Sequence, residues 1–256
     1  MNILETAAHT HSPYLHPGGE TLTEVLIEKL ALQPGQQVLE IGCGTGATAA
    51  RLAQTIPVRI IAFDRLLPML TAAQTRFQQG RLASISLLTA NANAPFPFAP
   101  ATFDAIYAES VLALTQLPHP LREIARLLRP GGKLALNERL WKPDVTPAEA
   151  AHINTLSQTY FGIPAATPEP WHIQDWMAWL TEAGFVHLNA TRIETLIPPN
   201  HQRQPRLRQR LTHLQHHLRH PKTYFRNLQF RFFGKRYEKL WGRMEAVLLT
   251  GRLKDG

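Results

Sequence analysis

The spacing of apolar positions changes period repeatedly along the chain, and those changes mark out its elements. Residues 21–32 place Leu22, Val25, Leu26 and Leu30 at helical spacing, and Pro34-Gly35 closes the run. Gln37–Ile41 is short, mostly apolar and ends in glycine, as a buried strand entering a turn does. The same reading predicts a helix over 47–54, a strand over 59–63 ended by Asp64, a helix over 68–79 and a strand near 84–88. It then predicts a strand over 103–107, a helix over 121–128 stopped by Pro130-Gly131-Gly132, and a strand over 133–137. Strands alternating with helices at this pitch mean βαβ units and a parallel sheet covered on both faces.

After Trp141 the alternation breaks. Prolines at 143, 147, 164, 168 and 170 surround a predicted helix at 148–160, so residues 142–172 are expected to form an insertion over the sheet edge. A helix at 173–183, a strand at 185–193 and a last strand at 245–253 complete the pattern, with a basic stretch before the last. The expected organisation is an arm and helix over 1–34, then one α/β domain over 35–256 with insertions at 142–172 and 198–242.

Composition adds exclusions. With 256 residues, 44% apolar and 18% charged, the chain can bury a sizeable core and is not a disordered one. A single cysteine excludes an intramolecular disulfide framework and a cysteine-rich zinc site. The start, MNILETAAHTHSPYLHPGG, lacks the pattern of a signal peptide, and no apolar run approaches the roughly 20 residues of a membrane span. The expectation is a soluble, cytoplasmic protein.

The formal net charge of +8 is not spread evenly. Residues 198–242 hold eleven Lys or Arg and one acid, whereas the rest of the chain holds sixteen basic and eighteen acidic groups. In that segment Leu207, Leu211, Leu214 and Leu218 make one helical stripe, and a second amphipathic helix is expected over 225–241. His213, His216, His217 and His220 have helical metal-ligand spacing but Arg and Gln for neighbours, which favours a solvated basic face, and no metal site is expected. Arg and aromatic residues interleave from Phe225 to Tyr237, a composition that suits RNA as well as an anionic membrane surface met through 203–241.

The most informative stretch is Glu40-Ile41-Gly42-Cys43-Gly44-Thr45-Gly46. A strand feeding a glycine turn and then a helix brings backbone N–H groups against a ligand, and Asp64 at the end of the next strand is placed to accept from ribose hydroxyls. Together they describe a nucleoside-bearing cofactor site. Gly42-x-Gly44-x-x-Ala47 with Asp64 about 20 residues on also satisfies a dinucleotide fingerprint. Against that, Glu40 disfavours a pyrophosphate and suits a cationic amino group, about 35 residues precede the first strand, and no Tyr-x-x-x-Lys constellation follows the fourth.

These residues resemble the first motif of the class I S-adenosylmethionine-dependent methyltransferases. Phe63-Asp64 resembles the acidic end of that family's second strand. Asn91-Ala92-Asn93-Ala94-Pro95-Phe96-Pro97-Phe98 with Thr102-Phe103-Asp104-Ala105-Ile106 resembles its ubiquinone/menaquinone methyltransferase-like branch (methyltransferase type 11-like), and Arg126–Leu134 resembles the turn before the fifth strand. The resemblance implies a Rossmann-like, doubly wound, mostly parallel seven-stranded sheet with helices on both faces and helical lid or insertion elements. It also implies S-adenosylmethionine as cofactor and S-adenosylhomocysteine as product. In it, Gly42, Cys43, Gly44, Thr45 and Gly46 pass under the methionine part and ribose, Glu40 holds the amino group, and Asp64 binds the ribose with Arg65 beside the adenine. Asn91 stands where the family usually has Asp for the adenine amino group, the Ala92 N–H serves the ring, and Glu109 faces the methionine end or the acceptor.

Methyl transfer from a sulfonium is an in-line displacement that needs alignment more than a fixed catalytic motif. No general base is named by the sequence; Glu109, Tyr14 and His16 are candidates, the last two because 14–20 has turn chemistry suited to a lid. The absence of an Asn/Asp-Pro-Pro-Tyr/Phe stretch, and a sole thiol inside the glycine loop, argue against DNA-base and arsenite methylation. Trp141, Tyr160, Phe161, Trp171, Trp176 and Trp179 enrich the insertion region in aromatics, the composition of a pocket for a small apolar or aromatic acceptor. An RNA-modifying methyltransferase and a non-catalytic S-adenosylmethionine- or nucleotide-binding module are the alternatives, and the chain is expected to be a monomer or homodimer.

Overall fold

Seven strands form one sheet in a computed structural model that describes residues 2–196, 229, 232, 233, 235 and 238–255. In chain order they are β1 (Gln37–Ile41), β2 (Arg59–Asp64), β3 (Ile85–Thr89), β4 (Phe103–Glu109), β5 (Leu128–Trp141), β6 (Phe185–Arg192) and β7 (Met244–Leu253). Their spatial order is β3-β2-β1-β4-β5-β7-β6; β7 runs antiparallel to both neighbours and the remaining pairs are parallel. The order reverses between β1 and β4, and in open α/β sheets a ligand crevice opens beyond the strand ends at such a point.

Strand alternation sorts side chains between two cores. From β1, Leu39 and Ile41 enter one core with α5 (His119–Leu127) and α7 (Ile173–Glu182), whereas Val38 enters the other with α2 (Gly19–Leu30), α3 (Ala47–Thr55) and α4 (Leu67–Gly80). Burial on both faces is why the strands read as near-continuous apolar runs. On the second face Ala105 and Tyr107 of β4 and Ala135 of β5 are fully buried. The same alternation carries Glu40, Glu109, Asn137 and Arg139 towards that face near the carboxyl ends of their strands.

Among the described residues the predicted helices and strands form in the predicted order, with three differences. The fifth strand is longer than expected: β5 runs from Leu128 to Trp141, and Pro130-Gly131-Gly132 is carried as an irregularity in its pairing with β4 instead of preceding it. The sixth stops at Arg192, where Ile193–Leu196 makes one helical turn. The N-terminal arm contains a helix, α1 (Ile3–His9), held by a reciprocal cap in which Asn2 Oδ1 accepts from Glu5 N at 2.8 Å and Glu5 Oε2 accepts from Asn2 N at 2.9 Å.

The 142–172 insertion supplies α6 (Pro147–Phe161). It packs through Ala150 and Ile153 on Trp141, Val145 and Met244, and Tyr160 stacks on Phe233 with ring centroids 4.1 Å apart. Of the second basic helix, residues 229, 232, 233, 235 and Glu238–Trp241 are helical. The stripe at Leu207, Leu211, Leu214 and Leu218 and the four histidines at 213–220 lie outside the described residues. Among the described residues no helix is long and apolar enough to cross a membrane, and no His, Cys, Asp and Glu cluster would hold a metal.

A candidate cofactor and acceptor site at the carboxyl end of the sheet

A cavity of about 530 Å³ lies at the β1/β4 reversal, beyond the carboxyl ends of the parallel strands. Its floor is the turn from β1 into α3. All three glycines there have positive φ, +70° at Gly42, +51° at Gly44 and +72° at Gly46, but they differ in what surrounds them. A Cβ on Gly42 would sit 2.3 Å from Val111 Cγ2, and one on Gly46 would sit 2.5 Å from Phe77 Cζ, so both are demanded by packing. At Gly44 nothing lies within 4 Å, and this residue lines the cavity. It is the position where backbone is left bare towards a ligand.

Two carboxylates stand beside the turn. The Gly44 N–H donates to Asp64 Oδ2 at 3.0 Å and the Leu66 N–H to Oδ1 at 2.9 Å, so the loop and the β2 terminus are tied together. Burial raises the Asp64 pKa against the pull of those N–H groups. Glu40 is 4% exposed, and its Oε2 has no hydrogen-bond partner. Burial, then the neighbouring Glu109 charge, pushes its carboxyl well above the usual range. A buried acid in this condition suits a cationic partner.

The other loop side chains are less available. The Thr45 hydroxyl donates to Ser12 O at 2.8 Å, and Arg76 Nε donates to Thr45 O at 2.8 Å, so Thr45 is committed to the N-terminal arm. Burial raises the Cys43 thiol well above its ordinary value, which makes it an inert small filler. At the far side of β2, Asn91 Oδ1 accepts from Asn93 N at 3.0 Å while Ala92 is buried beneath it and Arg65 is exposed.

Glu109 organises a second cluster that joins β4, β5 and the arm. Its Oε1 accepts from Thr48 Oγ1 at 2.7 Å, and its Oε2 accepts from Asn137 Nδ2 at 3.2 Å and lies 3.1 Å from His16 Nε2. His16 Nδ1 lies 2.9 Å from Asn137 Nδ2, so the arrangement is satisfied by the tautomer that carries its proton on Nε2. Pro17 O, 3.2 Å from Asn137 Nδ2, shares that group's two hydrogens with these acceptors. Ser110, next in the chain, is held at φ +57°, a costly conformation for serine that turns the backbone along the cavity wall.

The opposite wall comes from the end of β5 and from α6. Glu138 is fully buried; its Oε1 accepts from Val111 N at 3.1 Å and Leu112 N at 2.8 Å, and its Oε2 from Ala113 N at 3.2 Å. Burial lifts its pKa to about 7. Arg139, Ser157, Phe161, Ile163 and Trp241 face the same space.

Of the residues singled out from the sequence, Glu40, Gly42, Cys43, Gly44, Thr45, Asp64, Arg65, Asn91, Ala92, Glu109 and His16 all line this one cavity. Gly46 lies behind it, against Phe77 and Ala73. Tyr14 does not line it either: the ring packs edge-on against His16 with centroids 5.7 Å apart, and burial together with Glu20 and Glu24 pushes its phenol up to about 12. Thr48, Asn137, Glu138, Arg139 and Ser157 were not anticipated. The first polar residues after the apolar run Leu134–Leu136 were the available signal, because strand ends at the carboxyl edge are where α/β sheets bind ligands.

Residues 38–132 match the family model described as "Methyltransferase domain". The chain is 32% identical over 191 residues to the uncharacterized methyltransferase YodH of Bacillus subtilis, covering 74% of this chain and 76% of that one. It is 37% identical over 119 residues to the O-methyltransferase rstn1 of Aspergillus nomiae, covering 46% of this chain and 52% of that one. Among solved structures, phosphoethanolamine N-methyltransferase 2 of Haemonchus contortus in complex with S-adenosyl-L-methionine superposes with a TM-score of 0.71 at 14% identity, covering 99% of this chain and 57% of that one. That last likeness speaks for the fold, and the extended match to the Bacillus relative speaks for the family. The chain belongs to the class I S-adenosylmethionine-dependent methyltransferases and is an enzyme of that family. Its cofactor is S-adenosylmethionine. These matches do not single out the ubiquinone/menaquinone methyltransferase-like branch.

Proposed function

We propose that the enzyme methylates a small, largely apolar or aromatic molecule held in the same cavity as the cofactor. The observation that carries this reading is the single cavity that joins the open Gly44 turn and Asp64 to a wall built from Phe161, Ile163 and Trp241. When bound, S-adenosylmethionine supplies an electrophilic methyl group on a sulfonium. The residues present fit it: Gly44 leaves bare backbone, Asp64 offers acceptors for two hydroxyls, and the unpartnered Glu40 Oε2 offers an acceptor for an ammonium group. Asn91 and the Ala92 N–H are assigned to the adenine, with Arg65 beside it.

The chain's own contribution is positioning and water exclusion. Glu109 holds His16 and Asn137, and through them the arm, over the cavity. Both ring nitrogens of His16 are engaged in that bracket, so we assign His16 as a positioning residue. Tyr14 does not line the cavity and burial pushes its phenol up to about 12, so we assign it no proton transfer.

Calorimetric titration tests the reading. S-adenosylhomocysteine is expected to bind with a stoichiometry of one and NAD not to bind; Asp64→Ala is expected to weaken S-adenosylhomocysteine by about tenfold or more, as loss of charge-assisted hydrogen bonds does. Unchanged affinity in Asp64→Ala removes the ribose assignment.

A further inference from the structure

Arg139 is a charged side chain of the cavity wall that the described residues leave without a partner. It lies on the β5 face shared by Ala135 and Asn137 and lines the cavity with Ser157, Phe161 and Trp241. No hydrogen bond or ion pair meets its guanidinium among the described residues. The charged groups around it are provided for: Glu138 accepts three backbone N–H groups, Glu109 is bracketed by Thr48 and Asn137, and Glu245 pairs with Arg192. Burial lowers the Arg139 pKa, and no neighbouring carboxylate acts against that. A guanidinium stays charged nonetheless, so the site keeps a partly desolvated cation whose fork of donors meets no acceptor among the described residues.

The placement separates two polarities. Glu40 and Asp64 end β1 and β2, whereas Arg139 is on β5, two strand spacings or about 10 Å from β1 with β4 between them. Glu40 and Asp64 thus stand at the glycine turn, where a sulfonium cofactor binds, and Arg139 lines the other wall of the cavity, to which Phe161 and Trp241 also contribute.

We propose that Arg139 is the acceptor-binding residue for an oxyanion, so that the methyl acceptor is a molecule with an apolar body and a carboxylate or phosphate group. A planar fork matches either anion with two parallel N–H···O bonds, and the aromatic wall takes the apolar body. The inference rests on the methyltransferase reading of the cavity.

The test is binding to the whole protein saturated with S-adenosylhomocysteine, with benzoate, phenyl phosphate and uncharged benzamide as probes. The expected result is that benzoate or phenyl phosphate binds about tenfold or more tightly than benzamide. Whichever of the two anions binds more tightly tells carboxylate from phosphate. Arg139→Gln is expected to erase the preference for the anion while leaving S-adenosylhomocysteine affinity unchanged. Because it removes a half-buried charge that meets no partner among the described residues, this variant is expected to melt no lower than the parent, and the comparison of benzoate with benzamide on the parent needs no variant. Equal binding of benzamide, retention of the anion preference in Arg139→Gln, or binding of neither anion overturns the proposal. Failure of the parent to bind S-adenosylhomocysteine is a separate readout, and it overturns the underlying reading together with the proposal.

Discussion

Gly44 and Gly46, two positions apart in one turn, respond to different demands. Alanine at 46 puts a Cβ 2.5 Å from Phe77 Cζ and 2.9 Å from Ala73 Cβ. Overpacking of that kind costs about 1–3 kcal/mol, and the left-handed backbone adds to it, so Gly46→Ala is expected to lower the melting temperature clearly. Alanine at 44 meets no protein atom within 4 Å, leaving the backbone strain of roughly 1–2 kcal/mol. Gly44→Ala is therefore expected to fold with a smaller loss, yet to weaken S-adenosylhomocysteine by about tenfold or more because the methyl enters the ligand's space. Melting curves and titrations on the two variants check the contrast; equal loss of stability in both contradicts it. The sequence showed three glycines and no way to rank them, since what ranks them is Val111 against Gly42 and Phe77 against Gly46, brought in from 69 and 31 residues away by the fold.

Glu138 gives the protein a pH signature. Its pKa rises on folding from the ordinary 4.5 to about 7, so across that window the native state holds a proton that the unfolded chain has released. Stability is then highest below the unfolded value and falls as pH rises through the folded one, by up to about 3 kcal/mol for this group alone. Glu40 and Asp64, also raised, act in the same direction, so the contribution is isolated by comparison with Glu138→Gln. Urea unfolding at pH 4.5 and 7.5 is expected to show the parent losing stability relative to that variant. Parallel curves contradict the assignment.

At the scale of elements, the N-terminal arm is a strap across the site. α1 packs Ala7 and Ala8 on Met69, and its cap residue Asn2 lies against Gly162, where α6 ends. Beyond it, Ser12 O receives the Thr45 hydroxyl, His11 O receives Arg76, and His16 and Pro17 are held by Glu109 and Asn137. His16→Ala leaves Asn137 and Glu109 with fewer partners and loosens the middle of the strap. Chymotryptic cleavage next to Tyr14 and Leu15 is expected to speed up in that variant and to slow in the parent when S-adenosylhomocysteine is added. Cleavage rates unaffected by either change contradict the strap.

The elements of the sheet body were legible because their strands are buried on both faces and their helices carry wide apolar stripes. Two pieces were not, for opposite reasons. α1 has too narrow a stripe in ILETAAH, and its signal was the Asn2/Glu5 cap instead. The end of β5 reads as the close of a strand because Asn137, Glu138 and Arg139 are polar; Asn137 meets the N-terminal arm, Glu138 accepts from the 111–113 backbone, and Arg139 lines the cavity. The candidate cofactor residues were read from motif order, whereas the acceptor wall has no motif and emerges only when β5 and α6 meet.

For the whole molecule, the glycine turn, the Asp64 carboxylate and the acceptor wall meet at the β1/β4 reversal, as ligand sites of doubly wound sheets do. By sequence the net charge of +8 is concentrated in residues 198–242, most of which lie outside the described residues, whereas Trp241 at the end of that segment lines the cavity. The central claim is that this cavity, through Asp64 and the open turn, binds the methyl donor. Titration of S-adenosylhomocysteine into the parent, Asp64→Ala and Gly44→Ala tests it most directly. The account predicts one site per chain in the parent and about tenfold or greater weakening in both variants. Parent-like affinity in both folded variants would contradict it.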